Sequence, residues 1–219
     1  VHLRGVSTSQ IAEIRRSVGI VFQDPDDQLF CPTLSEDVAF GPLNLGLPED
    51  EVIKRVRDAL KLMGLEAYEN RPPHHLSIGE KKRAAIAGVL AMRPEILILD
   101  EPTANLDSKG RSELIGFLNS LSEGGTTLVT ATHDVNTVPL VADRVCVLSE
   151  GRVIASGEVR EIFSNLQVMS EANLELPTVA LLFRSLAGRH EISTTSLPLT
   201  IPDALREIDR LLRHDKHDG

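Results

Sequence analysis

Two carboxylates at the end of an apolar run are the strongest chemical feature of this sequence. Ile96-Leu97-Ile98-Leu99 is a short, wholly apolar segment of the kind that forms a strand buried on both faces, and Asp100-Glu101 follow it directly. A strand of a parallel sheet delivers such residues to the edge where ligands bind. Asp100 suits a Mg²⁺ ion, directly or through water, and Glu101 suits polarising a water that attacks a γ-phosphate. An acidic loop after a buried strand is the plainer reading, and the pair alone does not decide between them.

Four other places carry residues of the right type. Leu76-Ser77-Ile78-Gly79-Glu80 stands directly before a helical run over 80–92. There Ser77 and Gly79 would offer a hydroxyl and bare N–H groups to an anion at the positive end of the helix dipole, or Ser77 would simply cap the helix. Lys81, Lys82 and Arg83 oppose that dipole; either a nearby phosphate offsets the cost or they form a solvated basic face. Asp107, closing Ala104-Asn105-Leu106-Asp107, reads as the N-cap of the next helix. His133 and Gln23 follow apolar strands over 126–132 and 17–22; such a histidine can hydrogen-bond a γ-phosphate or be purely structural.

These residues need an α/β frame with a parallel sheet, and the pattern supplies one. Short apolar runs alternate with amphipathic stretches, giving helices over 49–63, 80–92, 108–121 and near 135–142 between the strands. A hairpin over 145–155, turning at Ser149-Glu150-Gly151-Arg152, and a short helix near 158–163 close the main body. Residues 166–219 read as a C-terminal appendage with an apolar helix at 179–186 and a second helix opened by Thr200 as cap.

Composition narrows the function. The 219 residues are 42% hydrophobic and 25% charged, with a net charge of −9, no Trp, one Tyr and six Phe. Negative charge and few aromatics argue against a nucleic-acid partner. Cys31 and Cys146 are far apart and read as ordinary thiols. The apolar runs fall short of the ~18 residues that would suggest a membrane span. The tail residues His214, Asp215, His217 and Asp218 read as a charged tail, with metal binding the alternative.

Taken in order, Gln23, the LSIGE, ILILDEP and ANLD segments and then ATHD resemble the ATP-binding-cassette (ABC) ATPase family, from about residue 1 to 163. The resemblance implies a P-loop NTPase-like domain over 1–165, with a helical subdomain at about 45–93, that binds ATP and Mg²⁺ and hydrolyses ATP. By the same resemblance Gln23 senses Mg²⁺ and the attacking water, and Ser77 and Gly79 contact the γ-phosphate held by an opposite protomer. Asp100 holds Mg²⁺, Glu101 is the general base, Asp107 is the acid of the loop after it, and His133 senses the γ-phosphate. Ile78 departs from the small glycine usual there.

The G-x-x-x-x-G-K-[ST] loop that would cradle the phosphates occurs nowhere in the sequence. Since the chain opens Val1-His2-Leu3-Arg4 and the downstream residues are intact, the expectation is a segment of a longer protein, with a degenerate paralogue the alternative. The missing loop's strand is expected beside the Ile96–Leu99 strand. Such a segment alone is expected to be inactive.

Residues 20–48, IVFQDPDDQLFCPTLSEDVAFGPLNLGLP, resemble the ATPases of cobalt and nickel importers and of energy-coupling-factor vitamin importers. The likeness implies a transmembrane importer subunit docked through residues 24–45, a second ATPase subunit, and a place on the cytoplasmic face of the membrane. A soluble ABC protein of DNA repair or translation fits less well, because no long heptad segment or basic face is present. A catalytically inactive regulatory subunit is the remaining alternative.

Overall fold

The structure is a computed structural model and describes residues 8–190 and 196–214. The opening Val1–Arg4 and the tail residues Asp215, His217 and Asp218 lie outside the described residues, as does the side chain of His214.

Three parallel strands, β1 (Val18–Val21), β2 (Ile96–Asp100) and β3 (Thr127–Ala131), lie in the order β1-β2-β3, within one residue of the limits expected from the apolar runs. β2 pairs on both sides: Leu97 faces Gly19 and Leu128 across the sheet, and Leu99 faces Val21 and Thr130. The expected position of the phosphate-loop strand, beside β2, is therefore incorrect. Both edges of β2 are taken, so a further strand can join this sheet only at β1 or β3.

Parallel pairing requires crossover connections. The first carries α2 (Leu34–Asn44), α3 (Glu49–Leu62) and α4 (Ile78–Leu90); the second carries α5 (Ser108–Glu123). A further helix, α1 (Thr8–Ser17), precedes β1. α3 begins after Pro48 with three acids in its first turn and buries Val52, Val56, Ala59 and Leu60; Gly64, at φ 64°, ends it. α4 stops before Arg93-Pro94, with Arg93 left-handed at φ 56°. α2 went unforeseen, although Thr33 and Glu36 form a capping box at its start.

One core joins the crossover helices to the sheet. Leu97 and Leu99 are fully buried with Ala84, Ala85, Ile86 and Ala87 of α4, Leu114 and Leu118 of α5, and Leu34 and Leu60 of α2 and α3. The opposite face of the sheet is more open. Ile20, Ile98 and Val129 align across the three strands, and Ile20 and Val129 are 46% and 49% exposed. β3, though apolar in composition, is not a buried strand: its alternate residues Thr127, Val129 and Ala131 are exposed, and Leu128 and Thr130 are half-buried.

Contacts divide the chain into two compact units, Val1–Thr132 and His133–Gly219. The second unit holds α6 (Val138–Val141), a hairpin of β4 (Arg144–Ser149) and β5 (Arg152–Glu158), then α7 (Val159–Ser164), α8 (Leu166–Glu171), α9 (Thr178–His190) and α10 (Ile201–His214). The hairpin turns through Glu150 and Gly151, at φ 49° and 74°, as a tight turn requires. The helix expected near 135–142 is reduced to α6, because Asp134 accepts from the Asn136 N–H and the Thr137 hydroxyl and makes a turn instead. Thr200 caps α10 as expected. A small core of Val159, Phe163, Met169, Leu176, Ala180 and Leu199 spans residue 165, the expected domain limit. Among the described residues, no helix is long and apolar enough to cross a membrane.

At Gly19 the sheet and α4 lie too close for a side chain between them. A Cβ there would collide with Cγ1 of Val89 and lie 3.1 Å from Cγ of Pro94. Gly19→Ala is expected to destabilise the protein by about 1–3 kcal/mol, the usual cost of overpacking. Urea unfolding measures it, and an unchanged midpoint would contradict the packing described.

Candidate functional site

The acid pair sits where the parallel strands end. Asp100 is the last residue of β2, paired with Ala131 and exposed. Glu101 continues that pairing by one step, its N–H donating to the Ala131 carbonyl at 2.9 Å. Its backbone then turns left-handed, at φ 43°, which is uncommon for a residue with a side chain and is concentrated at functional sites. The Glu101 carbonyl accepts from the Ala104 N–H at 3.1 Å and from Lys82 Nζ at 2.9 Å. Its carboxylate Oε2 accepts from the Thr132 hydroxyl at 3.1 Å.

Gln23 follows β1 at the same carboxyl edge, two residues beyond Val21, the partner of Leu99. Its loop is built by neighbours that the sequence did not single out. The Gln28 amide closes the edge strand, its Oε1 accepting from Phe22 N–H at 2.8 Å and its Nε2 donating to the Ile20 carbonyl at 3.1 Å. Asp24 caps the short turn over Pro25–Asp27. Farther on, buried Asp37 accepts from the N–H groups of Phe30 and Cys31, both at 3.0 Å, and so fastens the loop to α2. Burial first, and then the Asp37 carboxylate, push the Cys31 thiol up to about 11.

Ser77 caps α4. Its hydroxyl accepts from Glu80 N–H at 3.3 Å, and Glu80 Oε2 accepts from Ser77 N–H at 2.7 Å. The N–H of Ser77 is the main reason the Glu80 carboxyl lies below its ordinary range; burial opposes it, and the Ser77 and Tyr68 hydroxyls and Arg83 help. Ile78 and Gly79 belong to the first turn, whose N–H groups have no intrahelical acceptor. Ser77 and Ile78 are exposed.

The three basic residues after this cap are not a solvated face, which corrects the plainer reading. Lys81 pairs with Asp26 at 2.7 Å, Arg83 with Glu113 at 2.8 Å, and Lys82 is buried, only 6% exposed, against the Glu101 carbonyl. Burial lowers the Lys82 pKa, while the charges of Glu101 and Asp24 oppose that shift. α4 is thus tied to the Gln23 loop, to the acid pair and to α5.

Asp107 is the N-cap of α5, its Oδ1 accepting from Gly110 N–H at 2.7 Å, as its position before a helix suggested. The 104–107 segment also approaches the start of α4: a Cβ on Gly79 would lie 3.6 Å from Cδ2 of Leu106. His133 opens the second unit two residues after Ala131, and its carbonyl accepts from Val135 N–H at 3.1 Å. No three His, Cys, Asp or Glu side chains cluster among the described residues as a ready-made metal cage. Mg²⁺ still fits Asp100, since it is commonly held by one or two carboxylates together with water and phosphate.

Beside the Gln23 loop lies a groove of about 600 Å³ between α1, residues 27–30, α2 and α4, lined in part by Ile11, Leu29, Phe30, Phe40 and Met92. Phe30 and Phe40 meet edge to face at 5.0 Å and are 64% and 49% exposed.

A parallel sheet that carries an acid pair at the carboxyl end of its inner strand, with helices in both crossovers, defines a P-loop NTPase-like core. The ABC transporter family profile matches residues 1–104. The chain is 53% identical over 182 residues to an energy-coupling factor transporter ATP-binding protein, EcfA, of Methanocaldococcus jannaschii; the match covers 83% of this chain and 65% of the relative. It therefore spans slightly less than two thirds of that relative's length. CbiO1 of Clostridium perfringens, described as part of the ABC transporter complex CbiONQ, superposes with a TM-score of 0.69 at 50% identity, covering 81% of this chain and 71% of CbiO1. A dimeric ATP-binding cassette in a post-hydrolysis state, bound to ADP and Pi, superposes with a TM-score of 0.61 at 32% identity, covering 71% of this chain and 69% of its own. The chain belongs to the ABC transporter ATP-binding family.

Because the folded pKa of Glu80 is lowered, its contribution to stability is complete above the unfolded value, ~4.3, and is lost as pH falls through the lower folded value. Glu80→Gln is therefore expected to cost stability at pH 7, with the difference from wild type shrinking below about pH 4. Unfolding titrations at several pH values measure this, and a difference independent of pH would remove Glu80 from the capping role.

Proposed function

We propose that these residues are the greater part of the ATP-hydrolysing subunit of an ABC importer, most simply one for cobalt or nickel ions, with an energy-coupling-factor vitamin importer the alternative. The observation that carries this reading is Glu101: an acid next to Asp100, at the end of an inner parallel strand, with its backbone turned out of the sheet and its carboxylate held by Thr132. ATP with Mg²⁺ is the substrate, and Mg²⁺ supplies charge neutralisation of the phosphates when bound. By the family resemblance Asp100 and Gln23 would hold the ion, Glu101 would take a proton from the attacking water, and His133 would contact the γ-phosphate. The phosphate cradle comes from sequence beyond these 219 residues, which agrees with the greater length of the relatives. Residues 1–219 alone are expected to bind ATP poorly and hydrolyse almost none, which nucleotide titration and a turnover assay will check; importer-like turnover would refute it.

The site works as a dimer. By the family resemblance the two sets serve different ATP molecules: Ser77 and Gly79 open α4, whereas Asp100 and Glu101 end β2. A second ATPase subunit, like or unlike, supplies Ser77 and Gly79 to the γ-phosphate, with Asp107 alongside. The exposure of Ile78 suits a surface covered in such a complex. Motion leaves through residues 24–45, whose apolar groove takes a helix of the transmembrane partner on the cytoplasmic face of the membrane.

Mixing subunits of the full-length protein tests both halves of this reading. Glu101→Gln alone should lower hydrolysis by about 10²–10⁴ while ATP still binds and the dimer accumulates. Combined with a Ser77→Arg subunit, the mixed dimer has one site with both defects and one with neither, so activity should partly return. No recovery on mixing would mean that each chain uses its own Ser77.

A further inference from the structure

Lys82 has no role in the function just proposed, yet it is the most buried cation among the described residues of the first unit and donates to the backbone of the acid pair. It stands on α4 five residues after the Ser77 cap, is 6% exposed, and spends its Nζ on the backbone carbonyl of Glu101 at 2.9 Å. A lysine is rarely buried to this degree without a partner that repays the lost hydration. The carbonyl it takes belongs to the one residue of the turn whose carboxylate must be aimed, and that residue has a left-handed backbone, φ 43°, which a side chain disfavours. Left-handed backbone persists only where the surroundings over-determine it. The bonds that restrain it include Glu101 N–H to Ala131, Ala104 N–H to the Glu101 carbonyl, and Lys82 to that same carbonyl. The first joins the turn to the neighbouring strand and the second closes the turn on itself. Lys82 reaches it from α4, a helix of the first crossover.

We propose that Lys82 is a positioning residue: by gripping the Glu101 carbonyl it holds the left-handed turn that aims the Glu101 carboxylate, and it ties that turn to the helix opened by Ser77 and Gly79. The inference rests on the reading of Glu101 as the base. It requires Lys82 to act on turnover through Glu101 and leave nucleotide binding nearly untouched, because its ammonium touches the backbone behind the carboxylate. A purely structural lysine would instead affect folding or binding, and would do so whatever residue stands at 101.

The test uses the full-length protein and measures kcat, KM for ATP and thermal midpoint for Lys82→Met, Lys82→Arg, Glu101→Gln and the Lys82→Met/Glu101→Gln double variant. Lys82→Met should lower kcat by about 10- to 100-fold, the scale of a small misplacement of a catalytic group, with KM changed less than about threefold. Lys82→Arg, which keeps a cationic donor, should recover at least part of the loss. In the Glu101→Gln background, Lys82→Met should lower the residual hydrolysis no further. An unchanged kcat in Lys82→Met, a rise in KM with kcat maintained, or an equal loss in both backgrounds would overturn the proposal. If Lys82→Met does not fold, Lys82→Leu, which also has no donor, replaces it: a kcat below that of Lys82→Arg at similar KM supports the role, and equal kcat overturns it. The underlying reading fails separately, through a Glu101→Gln variant that hydrolyses ATP normally; Lys82→Met that is fully active beside an inactive Glu101→Gln would sink the positioning role alone.

Discussion

Parallel pairing on both edges of β2 determines where every chemical group of the first unit can go. Strands that run the same way end at the same edge, and the register sets their levels: Leu99 stands between Val21 and Thr130, so the residues that follow all three emerge together. Because β2 is the inner strand, its backbone is held from both sides up to Asp100, and the Glu101 N–H extends the hold one residue further. The chain must then leave the sheet abruptly. A left-handed residue does this in a single step, and the cost, of order 1–3 kcal/mol, is met by the bonds that converge on Glu101.

α4 carries that local rigidity outward. Its small residues Ala84, Ala85 and Ala87 let it lie close on the sheet, with Gly19 making room on β1. Its consecutive lysines leave the helix about 100° apart and so reach different targets. They are not equivalent links. The Asp26 side chain that Lys81 meets is 60% exposed, and pairs of that kind contribute about 0–1 kcal/mol. The Lys82 bond is buried, and leaving its partner unsatisfied costs more, about 1–3 kcal/mol. α4 is therefore fastened to the acid pair by a buried bond and to the Gln23 loop by an exposed one.

The parts of this architecture that depend on near neighbours were legible in the sequence. Ser77 before α4, Asp107 before α5 and Thr200 before α10 are all local signals, and each appears where expected. The capping box of Thr33 and Glu36 is equally local, and it marks the start of α2, a helix beyond those expected from the apolar periods. What could not be read were partners set by the tertiary fold. Lys81, Lys82 and Arg83 look like a basic face because their partners lie 55, 19 and 30 residues away. Gln28 reads as a surface amide until the edge of β1 is seen to need closing. β3 shows a different limit. An apolar composition correctly marks a strand of a parallel sheet, but it cannot say which face the rest of the chain will cover, and here Val129 faces outward.

The choice of atom at Lys82 follows from what a base requires. An ammonium placed directly on a carboxylate favours its ionised form and lowers its affinity for a proton, which works against proton abstraction. An ammonium on the backbone carbonyl of the same residue holds the turn and leaves the carboxylate oxygens to other partners. Oε2 of Glu101 accepts from the Thr132 hydroxyl, which helps to orient the carboxylate. The lysine gains from the arrangement as well. Burial lowers its pKa, and the nearby carboxylates of Glu101 and Asp24 oppose that shift. A neutral side chain of similar length would fill the same space but would leave the carbonyl with one bond fewer and the left-handed turn with one restraint fewer.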